Sequence, residues 1–309
     1  MTRILITGGA GMVGRALAQA LPSDGLVVTD LAETGLPGHL RFRRMDVTGT
    51  DPDKVIGDER PDVVVHLASI VTPPPGMTRE QAFAVDVTGT RNVLAACVAH
   101  GVKRLVVTSS GAAYGYHADN PVPLTEDAPC RGNPEFAYAD HKRQVEEMLA
   151  VARKTTPALE QVILRVGTVL GAGVDNQITA LFRRKRLLSI RGSDSPFVFI
   201  WTQDLARIVQ HAATDAPAGI FNVAGDGWLS VDDLARAMGK PVLRLPVWGV
   251  KAALAVLHPL GLSQYGPEQV RFLQYRPVLA NDRLKQVFGY TPELTSAEVF
   301  DLWEREAGL

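Results

Sequence analysis

The chain of 309 residues carries only two cysteines and a net charge of −1, and each scarcity excludes something. Cys97 and Cys130 are too few for a disulfide framework and lack metal-ligand spacing, which leaves a reducing, cytoplasmic compartment as the expectation. Lys plus Arg at 32 nearly cancels Asp plus Glu at 33, so no basic surplus exists for nucleic acid or an anionic membrane. Long apolar runs are also missing. The longest, around Trp248 to Leu257, is interrupted by Lys251 and falls short of the roughly 18 residues a membrane span needs. Ile4-Leu5-Ile6 is too short for the apolar stretch of a secretion signal. His66, His117, His141 and His258 have no ligand spacing, so no metal is expected. What remains is an ordinary globular composition, long enough for one large or two coupled domains.

In the first half, short Val/Ile/Leu runs alternate with longer helical patterns. Arg3 to Thr7, Leu26 to Thr29, Val63 to Leu67, Leu105 to Ser109 and Gln161 to Arg165 read as strands, apolar throughout as parallel strands buried on both faces must be. Between them Val13 to Leu21, Arg79 to His100 and Tyr138 to Ala152 repeat apolar residues at helical spacing. That alternation predicts an α/β fold, a Rossmann-like doubly wound parallel sheet, over residues 1–165. After about residue 166, helical pieces joined by short strands predict a smaller C-terminal substrate-binding region, 166–309. The chain is expected to re-enter the sheet within 195–225, near Phe221-Asn222-Val223.

Thr7-Gly8-Gly9-Ala10-Gly11-Met12-Val13-Gly14 sits between the first strand and the first helix. Gly8 permits a tight turn, Gly11 lets the backbone approach a pyrophosphate, and Gly14 allows close helix–strand packing. The phosphates would meet the helix N-terminus, whose free N–H groups and dipole favour anions. Asp30 ends the second strand, where a carboxylate accepts from a ribose 2′-hydroxyl and repels a 2′-phosphate, favouring NAD over NADP. A turn-capping role for Asp30 stays open. Asp46-Val47 follows the next short strand and suits an adenine amine or, equally, a turn. Leu67-Ala68-Ser69 closes a further strand, where a small residue lets backbone pass near a cofactor or simply packs.

Tyr138 and Lys142 stand four residues apart on one helix face. Behind a nucleotide-binding turn, a phenol beside an ammonium predicts proton exchange with an alcohol or ketone, the charge of Lys142 lowering the Tyr138 pKa. Ser110, at the carboxyl edge of the sheet, would hold the substrate oxygen. Cys130 precedes this segment in a Pro-rich loop and reads as a bystander thiol.

Taken in order, these segments resemble the extended short-chain dehydrogenase/reductase family, also called the NAD-dependent epimerase/dehydratase family. Besides the glycine turn, Asp30, Asp46-Val47 and Tyr138-x-x-x-Lys142, the resemblance rests on several further segments. They are Val64-Val65-His66-Leu67-Ala68, Asp86-Val87-Thr88-Gly89-Thr90, Thr108-Ser109-Ser110-Gly111, Leu164-Arg165, Phe221-Asn222-Val223 and Asp282-Arg283-Leu284. It implies NAD as cofactor, Ser110, Tyr138 and Lys142 as the catalytic trio, Arg165 among the cofactor residues, and a homodimer.

The departures from that family narrow the chemistry. Gly111-Ala112 stand where the dehydratase branch carries its acidic pair, so dehydration is not expected. Nucleotide-sugar epimerases usually place an Arg where Phe197 stands and an Asn where Leu164-Arg165-Val166-Gly167 leads to Thr168. Without that Arg the bidentate grip on a diphosphate is missing. Phe197, Phe199, Trp201, Trp248 and Leu257 then suggest an apolar pocket wall, with Arg191 or Arg276 as remaining anion contacts. The expectation is an NAD-dependent oxidoreductase on a secondary alcohol or ketone, sugar-like or hydrophobic. A nucleotide-sugar 4-epimerase recycling bound NAD is the alternative, and a non-catalytic NAD-sensing module the second.

Overall fold

A computed structural model describes residues 2–174, 176–261 and 266–309. Its strands are β1 (Ile4–Thr7), β2 (Leu26–Asp30), β3 (Arg41–Arg44), β4 (Val63–His66), β5 (Arg104–Ser110), β6 (Glu160–Val166), β7 (Thr168–Leu170), β8 (Leu187–Ile190), β9 (Phe199–Trp201), β10 (Gly219–Val223) and β11 (Val242–Leu245). Seven of them form one parallel sheet in the order β10-β6-β5-β4-β1-β2-β3. The chain winds outward from β1 to β3, then returns to place β4 on the other side of β1. This reversal opens a crevice at the carboxyl ends of β1 and β4, where Thr7 lies beside His66.

The continuous apolar strands are explained by their two covered faces. Ile4 and Ile6 point into one core with the helices Met12–Ala20 and Thr202–Thr214, while Leu5 points into the other. That second face is covered by Asp51–Glu59, the helical run Arg79–Ala99, and Ala137–Thr155. Leu5, Ile6, Val64, Val65, Leu105 and Val106 are fully buried, each contributing about 1.5–3 kcal/mol relative to exposure. The run Arg79–Ala99 has the length and apolarity of a membrane span, yet half of it is buried against this sheet. β3 breaks the apolar pattern because it is an edge strand. Its Arg41 and Arg43 pair with Glu59, and such charge deters further strand addition.

Beyond β6 a second assembly forms, with β7 paired to β9 and β8 to β11. It closes over an aromatic core in which Phe182 meets Phe197, Phe300 and Trp303 edge-on at 5.2, 5.5 and 5.6 Å. The expected apolar pocket wall is largely corrected here. Phe199 is buried in this core, Trp201 packs beside it, and Trp248 and Leu257 lie exposed on the helix Val247–Leu257.

Candidate active site

The glycine turn is shaped by close approach. Gly8 has φ +68°, and a Cβ there would stand 2.6 Å from the Ala68 nitrogen, so only glycine lets β1 turn beneath the end of β4. A Cβ on Gly14 would lie 2.5 Å from the Gly8 carbonyl oxygen, and one on Gly11 3.1 Å from the same atom. The helix Met12–Ala20 begins at Gly11 with no side chain capping its first N–H groups and no acid in its first turn. Those donors are open to an anion. Asp30 accepts from the Ala10 N–H at 2.9 Å and the Leu31 N–H at 2.7 Å, so it braces the turn and still presents free lone pairs at the end of β2. Glycine cradle, open helix terminus and carboxylate together fit a dinucleotide.

A cleft of about 870 Å³ runs from this turn to the smaller region. Met12, Val13, Leu67, Ser69, Ser110, Gly111, Tyr138, Lys142, Thr168, Phe197 and Arg276 all line it. Residues as distant in sequence as Met12, Ser110 and Arg276 thus meet in one space because the crevice gathers the carboxyl ends of β1, β4, β5 and β6.

Tyr138 and Lys142 lie in the first turns of Ala137–Thr155, whose Val145, Leu149 and Ala152 anchor it to the sheet. Ser110 stands beside Tyr138, near enough to favour its phenolate, and the Ser110 Oγ accepts the Ala112 N–H at 3.2 Å. The Lys142 Nζ donates to the Thr108 carbonyl at 3.0 Å and lies 5.6 Å from the Tyr138 ring centre. Burial pushes the Tyr138 phenol up from its ordinary value, and Ser110 only partly opposes this. Burial also pulls the Lys142 ammonium down, against support from Asp86 and Glu146. The expected lowering of Tyr138 by Lys142 is therefore corrected: in this geometry desolvation governs both groups.

Three other expectations are corrected. Arg165 does not face the cleft. Its Nε and Nη2 donate to both Glu146 oxygens at 2.8 and 2.9 Å, and Nη1 donates to the Tyr114 hydroxyl at 2.8 Å and the Glu126 carbonyl at 2.9 Å. It is a buried tie between β6 and the Tyr138 helix. Asp46 folds onto its own turn, accepting the Thr48 N–H at 2.9 Å and hydroxyl at 2.7 Å, while Val47 is buried where Gly89 admits it. Arg191 is exposed just past β8, away from the cleft lining. Of the two candidate anion contacts, Arg276 is the one that lines the cleft, together with Arg15 and Lys142. Its guanidinium lies 3.8 Å over the Phe197 ring and 5.0 Å from Phe272, donating to the Ser195 carbonyl at 2.7 Å. Its Nε is buried without a partner, and burial pulls its pKa down to about 9.

Reading the sequence missed a set of buried polar residues beneath the cleft. His66 accepts from the Thr7 hydroxyl at 2.7 Å and donates to the Thr90 hydroxyl at 2.9 Å, a tautomer fixed by Thr90 donating to the Asp86 carbonyl. Burial drives its pKa down to about 3, so it is neutral. Asp86 and His141 form a pair at 2.9 Å. Asp86 entered the sequence reading only as the first residue of Asp86-Val87-Thr88-Gly89-Thr90, with no role assigned. Burial raises the Cys130 thiol to about 12, which leaves it unreactive.

A doubly wound sheet with a glycine cradle at its switch point defines a dinucleotide-binding protein, and a Ser–Tyr–Lys constellation at its rim defines an oxidoreductase-type site. The sequence profile of the NAD dependent epimerase/dehydratase family matches residues 4–224, and the chain belongs to that family of enzymes, with NAD as cofactor. An uncharacterised protein of Mycobacterium tuberculosis is 26% identical, covering 99% of this chain and 84% of its own. A UDP-glucose 4-epimerase of Azospirillum brasilense is 32% identical over 62% of this chain and 60% of its own. Among solved structures, the UDP-glucose 4-epimerase of Thermotoga maritima with UDP-glucose superposes with a TM-score of 0.76 at 19% identity, covering 99% of both chains. The Bordetella bronchiseptica enzyme WbmG, in complex with NAD and UDP, does so with a TM-score of 0.73 at 22% identity, covering 99% of this chain and 94% of its own. Family membership sets aside the non-catalytic binding module.

Proposed function

We propose that this protein is a nucleotide-sugar epimerase that inverts a ring hydroxyl carbon, a 4-epimerase of UDP-sugars or close analogues. This places second the net oxidation of a free alcohol, which the sequence alone had ranked first. The observation that carries the reading is a single cleft holding both the Ser110–Tyr138–Lys142 constellation and the half-satisfied Arg276 guanidinium. A neutral ketone or alcohol gives a buried cation no counter-charge, whereas a diphosphate does.

In this reading Ser110 holds the reacting hydroxyl oxygen by its Oγ. The Tyr138 Oη takes the hydroxyl proton and later returns it to the same oxygen. Lys142, fixed by the Thr108 carbonyl 5.6 Å from the Tyr138 ring centre, would hydrogen-bond the nicotinamide ribose and hold the cofactor against the reacting carbon. Bound NAD supplies a two-electron oxidant that is regenerated within each turnover. The cradle at Gly8, Gly11 and Gly14 would hold its pyrophosphate and Asp30 its ribose. Thr168 and Gly111 border the space left for the sugar, and Arg276 faces the diphosphate.

Incubation with UDP-glucose or UDP-galactose and a panel of related UDP-sugars, followed by chromatography, should show interconversion without accumulation of free NADH. Steady NADH formation with an alcohol and no interconversion would instead support the oxidoreductase reading, which the apolar side of the cleft at Val71, Phe197, Phe272 and Leu279 favours. We also propose a cytoplasmic homodimer. A monomer by light scattering at micromolar concentration would refute the dimer.

A further inference from the structure

Among the described residues, Asp86 is a buried carboxylate near Lys142 with no arginine partner. It lies in the helical run Arg79–Ala99 at a widened π-turn, Ala84–Thr88, a distortion that turns side chains off the regular face. Its carboxylate side chain is 1% exposed. Oδ1 accepts from the Ser69 hydroxyl and the Ile70 N–H, both at 2.8 Å, and Oδ2 contacts His141 Nδ1 at 2.9 Å. Ser69 and Ile70 begin the loop that lines the cleft, and His141 belongs to the helix of Tyr138 and Lys142. One carboxylate therefore joins three elements around the site.

The charges facing it can be followed element by element. From the Tyr138 helix come Tyr138, His141 and Lys142, with Glu146 acting on Lys142 in turn, and from β4 comes the neutral His66. Glu146 is already committed to Arg165. Burial opposes the Asp86 anion, but the His141 contact, the Lys142 charge and the donors from Ile70 and Ser69 outweigh it, so its carboxyl stays below its ordinary value. The same carboxylate favours the Lys142 ammonium and disfavours the Tyr138 phenolate.

We propose that Asp86 is a positioning residue, clamping the cleft loop to the helix of Tyr138 and Lys142 and serving as the counter-ion that keeps Lys142 an ammonium. The proposal rests on Tyr138 and Lys142 acting as the proton-transfer pair. Removing the charge lowers the proton affinity of both groups, so the whole pH profile of kcat moves to lower pH. A residue that merely supported the fold would depress kcat at every pH without moving the profile.

The test has two arms. In unliganded protein carrying 15Nζ-labelled lysine, the Lys142 resonance is assigned by its loss in Lys142→Met. Asp86→Asn, nearly isosteric, should lower its titration midpoint by about one pH unit or more, and Asp86→Glu should restore most of that shift. Should Asp86→Asn fail to fold, Asp86→Ser removes the same charge and gives the same reading. In the activity arm, the kcat profile for UDP-sugar interconversion should shift acid-ward in Asp86→Asn with KM little changed. An unmoved Lys142 midpoint overturns the counter-ion role, whatever the activity. A moved midpoint in a wild-type protein that interconverts no UDP-sugar leaves the counter-ion standing and refutes the epimerase reading instead.

Discussion

Replacing Arg276 by methionine should move ligand affinity and protein stability in opposite directions. The guanidinium is held where burial pulls its pKa well below its ordinary value, to about 9, with Nε unpartnered. At about 1.4 kcal/mol per pH unit, keeping it charged there costs on the order of 3–5 kcal/mol. The Phe197 and Phe272 faces and the Ser195 carbonyl return about 2–4 kcal/mol of this. Methionine keeps the apolar stem, fills the space between the rings and removes the buried charge. The unliganded variant should therefore melt within about 3 °C of the wild type, or slightly above it. A diphosphate would lose one charge-assisted contact, about 1.5–3 kcal/mol, which raises the Kd for UDP about 10- to 150-fold. Because that contact persists in ground and transition states alike, KM should rise while kcat changes only a few-fold. Calorimetric titration of UDP, thermal melts and steady-state kinetics read the three quantities. A melting point lowered by more than about 5 °C with an unchanged UDP Kd would show that Arg276 is a structural cation, and the diphosphate argument would fail.

Tyr138→Phe removes only the hydroxyl beside Ser110, so NAD affinity and melting temperature should hold while kcat falls about 10²- to 10⁴-fold; turnover within a few-fold of wild type would remove Tyr138 from the proton transfer. Gly8→Ala forces a Cβ to 2.6 Å from the Ala68 nitrogen at φ +68°, and should cost at least about 1–3 kcal/mol in chemical denaturation and weaken NAD binding by fluorescence titration. A variant as stable as wild type would mean that β1 and β4 can separate freely. Glu146→Gln leaves the Arg165 guanidinium buried without its counter-charge, which should destabilise by about 3–5 kcal/mol in denaturant titration while changing the NAD Kd little. A selective loss of NAD affinity would return Arg165 to the cofactor.

What the sequence made legible is what depends on near neighbours. The glycine turn is eight residues of local geometry, and the strands β1, β4, β5 and β6 announce themselves because both of their faces are covered. β3 was legible only as an unbounded short strand before Asp46, because an edge strand needs charge more than apolarity, and the helix Asp51–Glu59 escaped because its buried side needs only Pro52, Val55 and Ile56. Tyr138 and Lys142 were visible through their spacing, but the sign of the net shift each undergoes was not. That sign depends on how deeply both are buried, and depth is set by elements that arrive from elsewhere in the chain.

The same limit explains Arg165 and Arg276. One arginine among many looks alike in sequence; what separates them is the supply of partners. Arg165 meets Glu146, 19 residues away, along with Tyr114 and the Glu126 carbonyl, and its donors are consumed. Arg276 meets the Ser195 carbonyl and hydroxyl and two rings, none carrying a negative charge, and keeps a buried, unpartnered Nε at the cleft wall. The missing clamp at Phe197 therefore does not empty the site of cations. Phe197 supplies the flat face on which the cleft's arginine rests, and a diphosphate held there would meet one guanidinium stacked on a ring rather than a pair of arginines. Affinity for the nucleotide should then depend on that single residue far more than a two-arginine site would, which is why Arg276→Met separates the two readings so cleanly.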